Sequence, residues 1–159
     1  MKRRKSLAGA SFLFSAILAG ACAGPSARDT SSLRIHAEQA VMNAAAVAPE
    51  GVNGIFEIAV RGTGRSGGRL FLNSERDYRD PRALNIAIAP AIEQQLEARF
   101  GRPPATHLEG KTIAVRGTAK RVRIEFTQNG RRSGKYYYQT HVVLEEARHL
   151  TVSGEPPTA

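Results

Sequence analysis

The chain has 159 residues, a formal net charge of +9 and one cysteine. That length supplies one hydrophobic core of ordinary size. A single thiol excludes a disulfide within the chain.

Much of the positive charge lies at the start. Lys2, Arg3, Arg4 and Lys5 precede the apolar stretch Ala8 to Ala21, which is shorter than the about 20 residues a bilayer span needs. Residues 1–21 are therefore expected to be an export signal that is cleaved. Without them the formal charge falls from +9 to +5, so charge alone does not imply nucleic-acid binding. Ala19-Gly20-Ala21 and Ala21-Cys22-Ala23 both suit ordinary signal peptidase. Cys22, followed by the loose run Ala23 to Ala27, also resembles the bacterial lipoprotein signal, with Leu18 four residues before the cysteine where the usual pattern has three. That resemblance implies a lipid on Cys22 and a tether to the periplasmic side of a bacterial membrane, each buried acyl CH₂ contributing about 0.8 kcal/mol.

Residues 22–33 are small and polar and read as a flexible tether; residues 34–152 form the expected domain, and 153–159, with Pro156-Pro157, a disordered tail. Ile35 to Val47 is Ala-rich and predicts a short helix. Phe56, Ile58 and Val60 alternate with polar or small residues and predict a half-buried strand. Gly62 to Gly68 reads as a flexible loop, and Arg69 to Leu72 as a second strand. Leu84, Ile86 and Ile88 predict a third. Pro90 at a helix start, the stripe Ile92, Leu96 and Phe100, and Gly101 before Pro103-Pro104 mark a helix with both ends signalled.

A long strand is expected from Thr112 to Phe126. Its apolar phase changes from Ile113 and Val115 to Val122, Ile124 and Phe126, which predicts a bulge or bend near Gly117. Asn129-Gly130 signals a hairpin, and Tyr136 to Leu144 the last long strand, with Tyr136 and Tyr138 expected in the core. Leu150 and Val152 add a short final stretch.

This order is that of the OB-fold: a mainly β, five-stranded Greek-key barrel with one helix between strands three and four. Here a short N-terminal helix precedes it. The phrase Gly110 to Gly117 is similar to the opening of strand four in small OB domains. The run Leu72 to Pro81 resembles a segment of exported bacterial OB-fold proteins of unassigned function, a resemblance covering about residues 50–152. It implies a fold and no particular chemistry.

Gly62-Thr63-Gly64-Arg65-Ser66-Gly67 matches the dinucleotide fingerprint in spelling only, because a strand and not a helix follows it. In an OB barrel the loops joining strands one to two and four to five border the binding face. Arg61, Arg65 and Arg69 fall around the first of these, and Arg131, Arg132 and Lys135 in the second, Thr127 to Lys135. Basic groups on both rims suit an anionic ligand, and Tyr137 offers a stacking surface. Glu75, Asp77 and Asp80 interleave with Arg76, Arg79 and Arg82, a pattern for turn caps and ion pairs. No metal-ligand spacing, nucleophile elbow or cofactor motif stands in the sequence.

The expectation is an exported, lipid-anchored OB-fold binding or adaptor module of the bacterial envelope, taking an anionic ligand or an envelope protein. Nucleic acid ranks lower among its partners. A thermonuclease-like or other hydrolytic enzyme and a structural protein-interaction module are the alternatives.

Overall fold

The computed structural model describes residues 34–155. The signal, Cys22 and the tether lie outside the described residues, as do 156–159. The chain runs β1 (Arg34–His36), α1 (Ala37–Ala46), β2 (Val52–Ala59), β3 (Gly62–Ser66), β4 (Arg69–Asn73), β5 (Leu84–Ile88), α2 (Pro90–Phe100), α3 (Pro104–Leu108), β6 (Thr112–Gln128), β7 (Arg131–Leu144) and β8 (Leu150–Val152). It is a mainly β fold in which eight strands form one mixed sheet.

Period-two alternation sends one set of side chains from each strand inward. Phe56 and Ile58 of β2, Leu70 and Leu72 of β4, and Leu84, Ile86 and Ile88 of β5 meet Ile113, Val115 and Ala119 of β6 and Val142 and Leu144 of β7 in one cluster. Ala40 and Ala44 lie one turn apart on α1 and are fully buried, so small side chains set the helix close against the sheet. The signalled helix forms as expected: Pro90 starts α2, Leu96 is buried, and Gly101 ends it in the left-handed conformation at φ 68°. Pro104 stops nothing further; it opens the short α3.

The strand order is β1-β2-β6-β7-β5-β4-β3, with β8 also on β6. All pairings are antiparallel except β1 with β2 and β5 with β7. β2 and β3 stand far apart in this order but are separated in sequence only by Val60 and Arg61. Val60 N–H donates to Lys111 O at 2.9 Å, on the β6 side, and Arg61 N–H donates to Asn73 O at 2.9 Å, at the end of β4. The backbone thus passes from one flank of the sheet to the other within two residues, which requires the sheet to curl.

Four details of the strands from β3 to β7 differ from the sequence-based expectation. First, Gly62 to Ser66 is strand β3, paired with β4 from Gly62↔Asn73 to Ser66↔Arg69; only Gly67-Gly68 turns. Secondly, most of Thr127 to Lys135 is strand, and the turn is Asn129-Gly130. Both turns have two residues at positive φ (54° and 76°, 52° and 74°), which suits the right-handed twist of a hairpin. Thirdly, β6 does not slip at Gly117. Its register is unbroken from Thr112 through Ala119 on β2 and from Ala119 to Glu125 on β7; the shift comes between Glu125 and Thr127. Val122 and Ile124 therefore belong to the opposite face. Fourthly, Tyr136 and Tyr138 follow the core-side face past the end of the core and are 49% and 41% exposed, under the guanidinium groups of Arg123 and Arg121.

The predicted N-terminal helix is shorter than Ile35 to Val47, because Arg34–His36 pairs with β2 as a strand. At the other end, Ser153 N–H donates to Thr112 O at 2.9 Å, and Lys111 Nζ donates to Glu155 Oε1 at 2.6 Å.

Gly117 lies opposite Gly54 in the β2–β6 pair, and a Cβ on it would meet Val142 Cγ1 at 2.8 Å. Val142 is fully buried and has no room to yield. Gly117→Ala is therefore expected to destabilise by about 1–3 kcal/mol in urea unfolding. Gly64→Ala, with nothing within 4 Å, serves as the control and changes stability by under about 0.5 kcal/mol.

Candidate functional site

The same alternation that fills the core leaves a second set of side chains on the outer face of β3, β4, β5 and β7. Phe71 and Asn73 point there from β4, Asn85 from β5, and Tyr137, Gln139 and His141 from β7. Val122 and Ile124 share the parity of this face on β6, and Ile124 lines the groove with Phe126. Together with the loop residues Arg76, Tyr78 and Arg79 they enclose about 710 Å³.

The floor is unusual in being both buried and polar. The Phe71 and His141 rings approach to 5.5 Å across β5, which lies between their strands. Beneath them β5 is buried on both faces, and Asn85 is 1% exposed. Gln139 organises the wall. Its Nε2 donates to Tyr78 O at 3.0 Å and to Tyr137 OH at 3.1 Å. Its Oε1 is then the acceptor for His141 Nε2–H at 2.7 Å, which fixes that imidazole tautomer and leaves Nδ1 with a free lone pair. The Tyr137 ring packs on Phe126 at 5.1 Å. Burial raises the Tyr137 phenol above its ordinary value.

The predicted site residues separate into three groups. Tyr137 lines the groove. Arg65 lines it too, but its guanidinium forms a fork on Glu93 of α2, with Nη1 donating at 3.0 Å. Arg61 turns away onto Glu75 at 2.9 Å, in a separate surface hollow. Arg69 stands at the start of β4 outside the lining. Arg131, Arg132 and Lys135 lie on the distal β6–β7 hairpin, also outside the lining, and Arg132 pairs with Glu125 at 3.1 Å.

Arg76 and Arg79 were not among the expected site residues, yet they line the groove without a carboxylate at ion-pair distance among the described residues. Phe71, Asn73, Asn85, Gln139 and His141 were likewise unforeseen. The available signal was parity: on β4 and β5 these residues occupy the positions that Leu and Ile do not. The carboxylates beside Arg76 and Arg79 cap turns. Asp77 Oδ1 accepts from Arg79 N–H and Asp80 Oδ1 from Arg82 N–H, each at 2.9 Å, and Asp80 also holds the Arg82 side chain. Arg82 keeps the Asp80 carboxyl below its ordinary value.

No protein-family model and no curated protein matches the chain. Among solved structures it is similar to a putative aspartyl-tRNA synthetase from Leishmania major Friedlin, at 14% identity and a TM-score of 0.43, over 84% of this chain and 23% of that one. It is also similar to the aspartyl tRNA synthetase from Entamoeba histolytica, at 8% identity and a TM-score of 0.39, over 73% and 21%. The chain spans under a quarter of the length of either.

Burial, with a smaller contribution from Arg69, lowers the His141 imidazole below its ordinary value; Lys120, its register partner on β6, adds no negative charge. The unfolded chain then binds this proton more readily than the folded one. The stabilisation is complete above the ordinary imidazole range and is lost as pH falls from about 6.5 toward the folded value. Urea midpoints measured from about pH 7.5 to about pH 5 are expected to fall on acidification, and His141→Gln is expected to flatten that part of the profile.

Proposed function

We propose that the protein is an exported OB-fold binding module, tethered through lipid on Cys22 at the periplasmic side of a bacterial membrane, whose outer-face groove binds an extended anionic ligand. The strand order supports the OB assignment. With β2 and β3 taken as one bent strand, the sequence of neighbours β3-β4-β5-β7-β6-β2 returns to its starting strand, the third and fifth OB strands are parallel, and α2 falls between the third and fourth. The groove then lies on the face bordered by the two hairpins.

One observation carries the ligand class. Arg76 and Arg79 stand at the groove rim with no carboxylate at ion-pair distance among the described residues, beside a wall of aromatic rings; Asp77 acts on Arg79 only at longer range. The arginines with ion pairs, Arg61, Arg65 and Arg132, are already neutralised by Glu75, Glu93 and Glu125. Arg76 and Arg79 beside rings suit a chain of phosphates or other acidic groups rather than an apolar partner. The export and tether proposals rest on the sequence from Met1 to Ala27.

Binding of a single-stranded phosphodiester oligomer, followed by anisotropy against salt, tests the groove. Affinity is expected to fall steeply with ionic strength. Arg76→Ala with Arg79→Ala is expected to weaken binding and to reduce the log–log slope by about 0.7 for each arginine–phosphate pair removed. Binding indifferent to salt would place an apolar protein interface in its stead. The mass of the mature protein tests the tether: an acylated species beginning at Cys22 is expected, and an unmodified one beginning elsewhere removes it.

A further inference from the structure

Three of the orphaned polar atoms in the described core belong to two asparagines. Asn73 Oδ1, Asn85 Nδ2 and Asn85 Oδ1 are buried without a hydrogen-bond partner. The remaining one, Arg99 Nε, belongs to a guanidinium whose other nitrogens donate to Ala147 O at 2.9 Å and Leu150 O at 3.1 Å, so that side chain is held structurally. The asparagines have no such explanation. They are 5% and 1% exposed, they face each other in the β4–β5 register, and Asn85 is also the register partner of His141. Asn73, Asn85 and His141 therefore form a row across three adjacent strands in the groove.

An unpartnered buried amide forfeits its hydration without a compensating hydrogen bond, and a leucine at either position would match the neighbouring Leu72, Leu84 and Ile86 in character. The cost is explained when the partner comes from outside the chain. The row offers unpartnered acceptors at Asn73 Oδ1 and Asn85 Oδ1, unpartnered donors at Asn85 Nδ2 and a lone pair on His141 Nδ1; the amide atoms are covered, so the Phe71 and His141 rings that close over β5 must part to admit a ligand. That set complements a rigid, flat edge carrying a donor beside an acceptor. Rings are at hand for its faces: Phe71 and His141 close to the row, and Tyr137, Phe126 and Tyr78 along the wall.

We infer that this row is a base-reading slot: the anionic ligand of the groove is a single-stranded nucleic acid, one of whose bases inserts against Asn73 and Asn85 while Arg76 and Arg79 hold its phosphates. This rests on the anionic-groove reading and narrows it. An acidic glycan would satisfy the arginines, and its hydroxyls and C–H faces suit amides and rings, but it lacks a flat ring whose own edge carries a donor beside an acceptor. A base supplies that edge, a stacking face for the rings and the phosphates together.

The test compares an oligothymidylate of about ten nucleotides with an abasic phosphodiester chain of equal length and charge, and with a sulfated glycan, on the full mature chain. The base-bearing chain is expected to bind at least about tenfold more tightly than the abasic one. Asn85→Leu, and the double variant Asn73→Leu with Asn85→Leu, are expected to erase that ratio, leave abasic binding unchanged and raise Tm, because the orphaned atoms are gone. Equal binding of base-bearing and abasic chains in the wild type overturns the slot and leaves the anionic groove standing. Preference for the glycan does the same. Binding of none of the three overturns both. A ratio that survives in Asn85→Ala, should the leucine variants fail to fold, also overturns the slot.

Discussion

Two backbone hydrogen bonds govern this architecture. Val60 bonds to Lys111 and its neighbour Arg61 to Asn73, so consecutive residues are tied to opposite flanks of the sheet. Each bond contributes only about 1 kcal/mol net. Their geometric effect is larger. A flat sheet would hold β2 and β3 near its opposite ends, too far apart for two residues to join, so the strands must curl until β2 and β3 become neighbours through the chain. The curl encloses the apolar face as a core and turns the other face outward as a groove.

Because side chains alternate, the strands at the centre of this arrangement serve both faces. β4 sends Leu70 and Leu72 to the core and Phe71 and Asn73 to the groove. β5 sends Leu84, Ile86 and Ile88 inward and Asn85 outward, and the outer residue is as well buried as the inner ones because the Phe71 and His141 rings close over the strand. Anything that shifts the register of β5 by one residue would place Asn85 in the apolar cluster and Ile86 in the groove. Stability of the core and composition of the groove are thus one constraint. Gly117 belongs to the same constraint, since its missing side chain admits Val142 of β7.

The elements legible in the sequence were those whose own residues dictate them. The α2 helix carries its start, stripe and stop in Pro90, Leu96 and Gly101, and the alternation of Leu84, Ile86 and Ile88 declares β5. β3 was not legible. Gly62-Thr63-Gly64 has no apolar alternation, and it is a strand only because β4 offers it a full register of backbone partners. The phase change in β6 was visible but its meaning was not: the pattern Val122, Ile124 is shared by a strand that slips and by one that outruns its core with its other face covered. The rim charges show the same limit. Arg65 resembles a solvated loop cation until α2 brings Glu93, 28 residues away, against it. Asn73 resembles the first residue of a polar turn and Asn85 the solvent-facing position of an alternating strand, and only the paired strands reveal them as buried neighbours.

Arg61, Arg65 and Arg132 are engaged with carboxylates, Arg69, Arg116, Arg121 and Arg131 outside the groove have no ion pair among the described residues, and within the groove Arg76 and Arg79 stand beside an aromatic wall and a polar floor. The most direct test of this account is an NMR titration of the ¹⁵N-labelled protein with a single-stranded oligonucleotide, read at side-chain and backbone amides. The account predicts that the Asn73, Asn85 and Gln139 side-chain amides move together with the backbone of β4, β5 and β7. Perturbations confined to the Arg131–Lys135 end of the distal hairpin, with those amides silent, would contradict it.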